Sequence, residues 1–74
     1  MKVGDVDPAA IPDDDKVAEL EREIKARWQV YPRLVSAGKI SQRQMNHRIA
    51  VMIAIRDEVR ARVARTASQQ GSLL

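Results

Sequence analysis

Apolar residues recur every three or four positions along two stretches of the chain, which predicts two long amphipathic helices. The first spans about residues 14–37 and the second about residues 42–67. The apolar stripe of the first helix is Val17, Leu20, Ile24, Trp28, Tyr31, Leu34 and Val35. The stripe of the second is Met45, Ile49, Met52, Ile53, Val59 and Val63. Since each helical residue adds about 1.5 Å, both helices would be roughly 35 Å long and could pair along their whole length.

The short segment between the two stripes carries signals that end one helix and begin the next. Gly38 can adopt the left-handed conformation that commonly terminates a helix. Ser41 and Gln44 have the spacing of a capping box, and Ile40 and Met45 have the spacing of a hydrophobic staple around the same cap. A helix stop and a helix start this close together predict an all-α fold, an antiparallel helical hairpin over residues 13–67.

Pro32 interrupts the first helix. Proline removes a backbone donor and clashes with the carbonyl group four residues earlier, which predicts a kink or a one-residue break. The apolar stripe keeps its phase across Pro32, so we expect the helix to keep roughly the same direction. Residues 1–12 have no hydrophobic period and are expected to form a flexible arm, and residues 68–74 are expected to form a flexible tail.

Charge is distributed unevenly although the net charge is only +3. Residues 1–24 carry three basic and eight acidic residues, whereas residues 25–74 carry ten basic and two acidic residues. Folding the chain back on itself sets the acidic start of the first helix beside the basic end of the second. The arithmetic of the hairpin pairs Glu19 with Arg60 and Glu23 with Arg56. Much of the asymmetry is then explained without an external partner.

Three carboxylates, Asp13, Asp14 and Asp15, stand immediately before the first apolar stripe. Carboxylates at a helix start cap free N–H groups and interact favourably with the positive end of the helix dipole. The alternative is that they bind a cation, but three consecutive acidic residues without a ligand loop do not favour a cation site. We therefore expect these residues to cap the first helix.

The middle of the second helix is apolar beyond the side expected to face the first helix. Ala50, Val51, Ala54 and Ile55 lie outside the main stripe. A helix that is apolar around more than half of its circumference is generally buried on more than one side, and a two-helix hairpin provides only one shared interface. We expect these residues to mediate self-association into a homodimeric four-helix bundle. The alternatives are a different protein partner and packing of the N-terminal arm.

Trp28 and Tyr31 are the only aromatic residues. Both follow the stripe of the first helix, so we expect them to pack in the core beside Pro32. Aromatic residues are also enriched at the centres of protein interfaces, which makes a partner-binding role the alternative.

No pattern indicates catalysis, a metal site or a cofactor site. The chain has no cysteine, and its one histidine, His47, falls on the outer side of the second helix. Glu19 and Glu23 lie one turn apart, but two carboxylates without a histidine are too few for a metal site. Neither a glycine-rich phosphate loop nor a nucleophile elbow is present. The sequence predicts a protein that is not an enzyme.

Nucleic-acid binding is the alternative function. Residues 41–48 at the start of the second helix are of types that contact phosphates and base edges. However, the third helix of the usual small DNA-binding core is missing. Six arginines of the second helix could contact a polyanion: Arg43, Arg48, Arg56, Arg60, Arg62 and Arg65.

The longest apolar run, residues 49–55, is far shorter than the about 20 residues needed to cross a bilayer. No basic start followed by an apolar stretch indicates a signal peptide. We therefore expect a soluble cytoplasmic protein that does not associate with membranes.

Three segments resemble a group of short phage and prophage proteins: residues 27–35, residues 38–41 and residues 48–55. In that group an R-x-V-Y-P-R segment leads to G-K-L-[ST] and then to an I-x-x-M-x-A-I helix. This chain departs from the pattern at Trp28, where the group often has arginine. The resemblance covers about residues 19–60 and implies a phage or prophage gene expressed in a bacterial cytoplasm, but it supplies no functional residues. The expected function is that of a small accessory or regulatory protein that acts by binding an unidentified host or phage protein.

Overall fold

The computed structural model describes the backbone of residues 1–71 and the side chains of residues 1–67. Its elements are a short 3₁₀ helix, Pro8–Ala10, and two long helices, α1 (Asp13–Ser36) and α2 (Gln42–Gly71). The two long helices pack against each other, and the described residues contain no strand beyond an isolated bridge between Val3 and Val6. The predicted all-α helical hairpin is confirmed.

The ends of the helices differ slightly from the prediction. Helix α1 begins and ends one residue earlier than expected, and α2 continues about one turn further, to Gly71. Of the predicted flexible tail, residues 68–71 belong to α2, and residues 72–74 lie outside the described residues.

The turn between the helices has the backbone geometry that its residues predict. Gly38 has a φ of 72°, in the left-handed region. Its N–H donates to the carbonyl oxygen of Val35 at 3.0 Å, and the N–H of Lys39 donates to that of Leu34 at 2.9 Å. These two bonds form a Schellman motif, which satisfies carbonyl groups at the end of α1 that have no partner within the helix.

Helix α2 begins with the predicted capping box. The N–H of Gln44 donates to the Ser41 hydroxyl oxygen at 3.0 Å, and the N–H of Ser41 donates to the Gln44 side-chain oxygen at 2.9 Å. Because both donors lie at a helix start, where no carbonyl of the helix can reach them, the reciprocal bonds satisfy them locally.

The start of α1 does not follow the prediction. Pro12 occupies the N-cap position and makes no side-chain capping hydrogen bond, while the three aspartates fall inside the first turn. They still lie near the positive end of the helix dipole. Asp13 instead accepts from Lys16 at 3.3 Å and from Arg62 of α2. The expected capping role of the aspartates is wrong, because the helix starts one residue before they could act as caps.

Helix α1 passes through Pro32 without interruption. Of the two outcomes expected at this position, the one-residue break does not occur. A kink at Pro32 stays a prediction.

The core of the hairpin is small. Among the described side chains, the buried apolar ones are Ile24 of α1 and Met45, Ile49 and Val59 of α2, each between 2% and 7% exposed. Trp28 is 52% exposed, so its expected place in the core is wrong. A helix that packs against a single neighbour buries only a narrow strip, and Trp28 lies at the edge of its stripe, four residues after Ile24. Tyr31 is half-buried.

The molecule is elongated. Its principal extents are 55 × 32 × 16 Å and its radius of gyration is 16.4 Å. A compact domain of this length would have a radius of gyration of about 11 Å. Two side-by-side helices therefore leave an unusually large share of the chain in contact with solvent.

Candidate protein-interaction face

The four residues predicted to mediate self-association are all exposed. Val51 is 42% exposed and Ile55 is 41% exposed, and Ala50 and Ala54 are also at the surface. Ile55 lies one turn before the buried Val59, so the exposed residues border the buried side of α2, which contains Ile49. Whether they self-associate stays a prediction.

A groove between the helices adjoins Val51. Its volume is about 220 Å³. It is lined by Arg27 and Tyr31 of α1 and by His47, Arg48, Val51 and Met52 of α2. The exposed apolar surface of α2 therefore continues into a concave surface with an aromatic ring and an aliphatic floor.

Helix α1 also has an exposed aliphatic residue outside its apolar stripe. Val30 is 49% exposed, and it lies three residues after Arg27 and next to Tyr31, both of which line the groove. Val30 was not among the residues predicted to lie on an interaction surface. The sequence does indicate its exposure, because Val30 is an aliphatic residue that does not fit the phase of the α1 stripe.

Two charged residues flank the exposed aliphatic pair of α2. Arg48 precedes Val51 by three residues, and Glu58 follows Ile55 by three residues. Both charged side chains are exposed. Within the described residues, neither has an oppositely charged group within 4 Å. Residues at this three- and four-residue spacing share one side of a helix, and we refer to Arg48, Val51, Ile55 and Glu58 as the outer seam.

The acidic residues of α1 do not make the interhelical ion pairs expected of them. Glu19 pairs with Arg22 and Glu23 pairs with Arg27, both within α1. The hydrogen bond that Arg27 donates to the Glu23 carboxylate raises the pKa of Arg27, with a smaller contribution from Tyr31. Residues three or four apart on a helix are neighbours, so an arginine on the same helix competes well with one on the other helix.

Arg56 and Arg60, the arginines predicted to pair with Glu23 and Glu19, also have other surroundings than predicted. Arg56 pairs with the adjacent Asp57 at 3.1 Å, and Arg60 has no carboxylate within 4 Å in the described residues. Within the described residues, the ion pair that joins the helices links Arg62 to Asp13, through donors at 3.3 and 3.4 Å from the two carboxylate oxygens. Hydrogen bonds from Arg62 and then from Lys16 lower the pKa of Asp13.

The arginines considered for polyanion binding do not form one surface. Arg56 and Arg62 are in ion pairs, whereas the other four have no carboxylate within 4 Å in the described residues. They are Arg43, Arg48, Arg60 and Arg65. Since successive helical residues turn by about 100°, Arg43 and Arg65 point to one side of α2, whereas Arg48 and Arg60 point about 120° away from that side in opposite directions. A strand of nucleic acid lying along one side of α2 could not contact all of them.

No group of three or more potential metal-ligating side chains occurs in the part of the chain that the structure describes. Among the same residues, neither long helix has a stretch apolar and uncharged enough to cross a bilayer. His47 is exposed and lines the groove beside Arg48.

Comparisons of the chain with family models, with curated proteins and with solved structures find no significant match. The resemblance to short phage and prophage proteins therefore stays a prediction.

Proposed function

We propose that this chain is a non-catalytic protein-interaction module that works as a homodimer, in which two hairpins form a four-helix bundle through the outer seam. The observation that carries the proposal is the exposure of Val51 and Ile55, two large aliphatic side chains on one side of α2 that the contact with α1 leaves at the surface. In keeping with the resemblance described above, its role would be that of a phage or prophage accessory or regulatory protein. We also propose that α1 kinks at Pro32, because proline inside a helix removes a backbone hydrogen bond and clashes with the preceding turn.

The surface area of the chain supports dimerisation. The accessible surface is 5924 Å². A compact folded monomer of 8.3 kDa would expose only about 4,600 Å². A typical stable interface removes about 800 Å² from each partner. Burial on that scale would remove more than half of the surface that this chain exposes beyond a compact monomer.

The small core gives a second reason. At this chain length a single core rarely supplies more than about 3–5 kcal/mol, and four apolar side chains are buried among residues 1–67. Burying the outer seam against a second hairpin would add the apolar contacts that one interhelical interface does not provide. A different protein could supply the same contacts, in which case the isolated chain would be a monomer in solution.

The proposal is tested by the mass of the protein in solution, measured by light scattering after size exclusion at tens of micromolar. The wild-type chain should have twice the 8.3 kDa mass of one chain. The double substitution Val51→Glu and Ile55→Glu should give a single chain with unchanged helical content, because glutamate is a good helix former at exposed positions. A buried pair of carboxylates, by contrast, would oppose association.

Trp28→Glu is the matched control, since Trp28 is more exposed than either target but does not line the groove beside the outer seam. It should leave the dimer intact. A wild-type mass of one chain would refute the homodimer, and a dimer that survives the double substitution would place the interface elsewhere.

Nucleic-acid binding is the second candidate, supported by the four arginines without a carboxylate partner. Their distribution around α2 disfavours it. A gel-shift measurement at low salt distinguishes the two, because phosphate contacts would make any affinity fall steeply as salt is added. We expect no shift of DNA or RNA.

A further inference from the structure

The spacing of the outer seam is symmetric about its own centre. From Arg48 to Val51 is three residues, from Val51 to Ile55 is four, and from Ile55 to Glu58 is three. The order of chemistry is cation, aliphatic, aliphatic, anion. The spacing is the same from either end, and the two ends carry opposite charges. Two antiparallel copies of the pattern therefore place each residue opposite a complementary one.

From this pattern we infer that the partner of the outer seam is the outer seam of a second copy, with the two α2 helices antiparallel across a two-fold axis near Ile53. This inference rests on the proposed homodimer and adds its orientation and register. Val51 then lies opposite Ile55 of the partner subunit, and Arg48 lies opposite Glu58 of the partner subunit. Each contact occurs twice, as a two-fold interface requires.

The charges exclude the other orientation. In a parallel pair, Arg48 would lie beside its own counterpart and Glu58 beside its own, which places like charges together at both ends of the seam. Like charges across an interface are unfavourable. In the antiparallel pair, two ion pairs replace these repulsions. Arg48 and Glu58 are available for them, because both are exposed and neither has an oppositely charged neighbour within the described residues.

The charges also select the register. Sliding one helix by about one turn in one direction sets Arg48 against Arg62 of the partner subunit. Sliding it in the other direction sets Glu58 against Gln44 of the partner subunit. Only the central register brings both aliphatic residues and both charges opposite complementary partners.

The shape of the face fits this arrangement. Ala54 lies beside the seam near the two-fold axis, and its short side chain allows the two helices to approach closely. In this register Ile55 of the partner subunit lies opposite Val51, and therefore beside the groove of about 220 Å³ that Val51 lines. That aliphatic side chain would pack against Tyr31 and Met52, which line the groove.

Orientation is tested by single cysteines, because the chain has none of its own. Ala54→Cys and Ala61→Cys lie seven residues apart on the same side of α2, and both positions are exposed. In the antiparallel dimer, the two copies of position 54 are offset by about 3 Å along the helices and the two copies of position 61 by about 24 Å. A short bismaleimide should therefore crosslink only Ala54→Cys.

Crosslinking of both variants would indicate parallel helices and overturn the inference. Absence of crosslinking in both, with a wild-type dimer, would show that the seam is not the interface and would overturn it too. A wild-type monomer would refute the homodimer itself, so the two failures are distinguishable.

Register is tested by charge reversal. Arg48→Glu and Glu58→Arg should each raise the dimer Kd about tenfold, because each single substitution replaces two ion pairs by two like-charge contacts. The double variant should return to within about threefold of wild type, since it restores both pairs with their signs exchanged. Glu21→Arg is the control and should leave the Kd unchanged, because Glu21 lines a separate groove with Arg60 and Val63 that includes no residue of the outer seam. Failure of the double variant to recover would refute the register.

Discussion

The turn at Gly38 allows a stringent test of why the chain folds back where it does. Its φ of 72° lies in the region that L-residues avoid, and a Cβ added there would meet no atom within 4 Å. Any effect of Gly38→Ala must therefore come from the backbone and not from a steric clash with a neighbour.

The magnitude follows from two opposing effects. Holding an L-residue in the left-handed conformation costs about 1–2 kcal/mol. Replacing glycine by alanine also reduces the entropy of the unfolded chain, which stabilises the fold by about 0.4–1 kcal/mol. The net expectation for Gly38→Ala is a loss of about 1 kcal/mol, or a fall in Tm of about 4–8 °C for a domain of this size.

D-alanine at the same position separates the two effects. A D-residue adopts positive φ without strain, so only the reduced entropy of the unfolded chain remains. Chemically synthesised protein with Gly38→D-Ala should therefore be more stable than wild type by about 0.4–1 kcal/mol. Both variants are measured by thermal and urea unfolding followed by circular dichroism, at one fixed concentration because dimerisation would make Tm depend on it. An L-alanine variant as stable as wild type, or a D-alanine variant less stable than it, would refute the reasoning.

Two further predictions concern the core and the ion pair that joins the helices. Ile49→Ala, at the most buried position of α2, should cost about 2–5 kcal/mol. Because that loss approaches the whole stability expected of a hairpin core, the variant should show broad unfolding or none, and a sharp wild-type-like transition in urea would contradict this. At Asp13, hydrogen bonds from Arg62 and Lys16 lower the pKa, so the folded state binds a proton there less readily than the unfolded state does. The stabilisation is then present above the unfolded pKa of 3.8 and is lost as pH falls through the lower, folded value. Asp13→Asn should flatten the dependence of Tm on pH in that acid range, and equal pH profiles for variant and wild type would argue against the contact.

The helices and the turn between them are determined by the sequence itself. The Schellman motif at Gly38 and the capping box of Ser41 and Gln44 form among residues at most five positions apart. Such bonds need no knowledge of the rest of the molecule, which is why the hairpin could be predicted from its residues. The positions of Val51 and Ile55 outside the buried seam followed from helical periodicity in the same way.

The choice of ion-pair partners was decided by the tertiary structure. The sequence paired Glu19 and Glu23 with arginines of α2, whereas both bind arginines of their own helix. An ion pair between helices depends on how each helix is rotated and how far apart the two lie. Periodicity predicts which residues face each other only to within about one residue. A pair within one helix has its geometry already set.

Tertiary structure also decided how far burial reaches around each helix. Trp28 and Ile24 belong to one stripe, yet Ile24 is 7% exposed and Trp28 is 52% exposed. One neighbouring helix covers only a narrow strip, so the edges of a wide stripe remain at the surface. The groove beside Val51 arises for the same reason: it lies between two helices and belongs to neither of them alone.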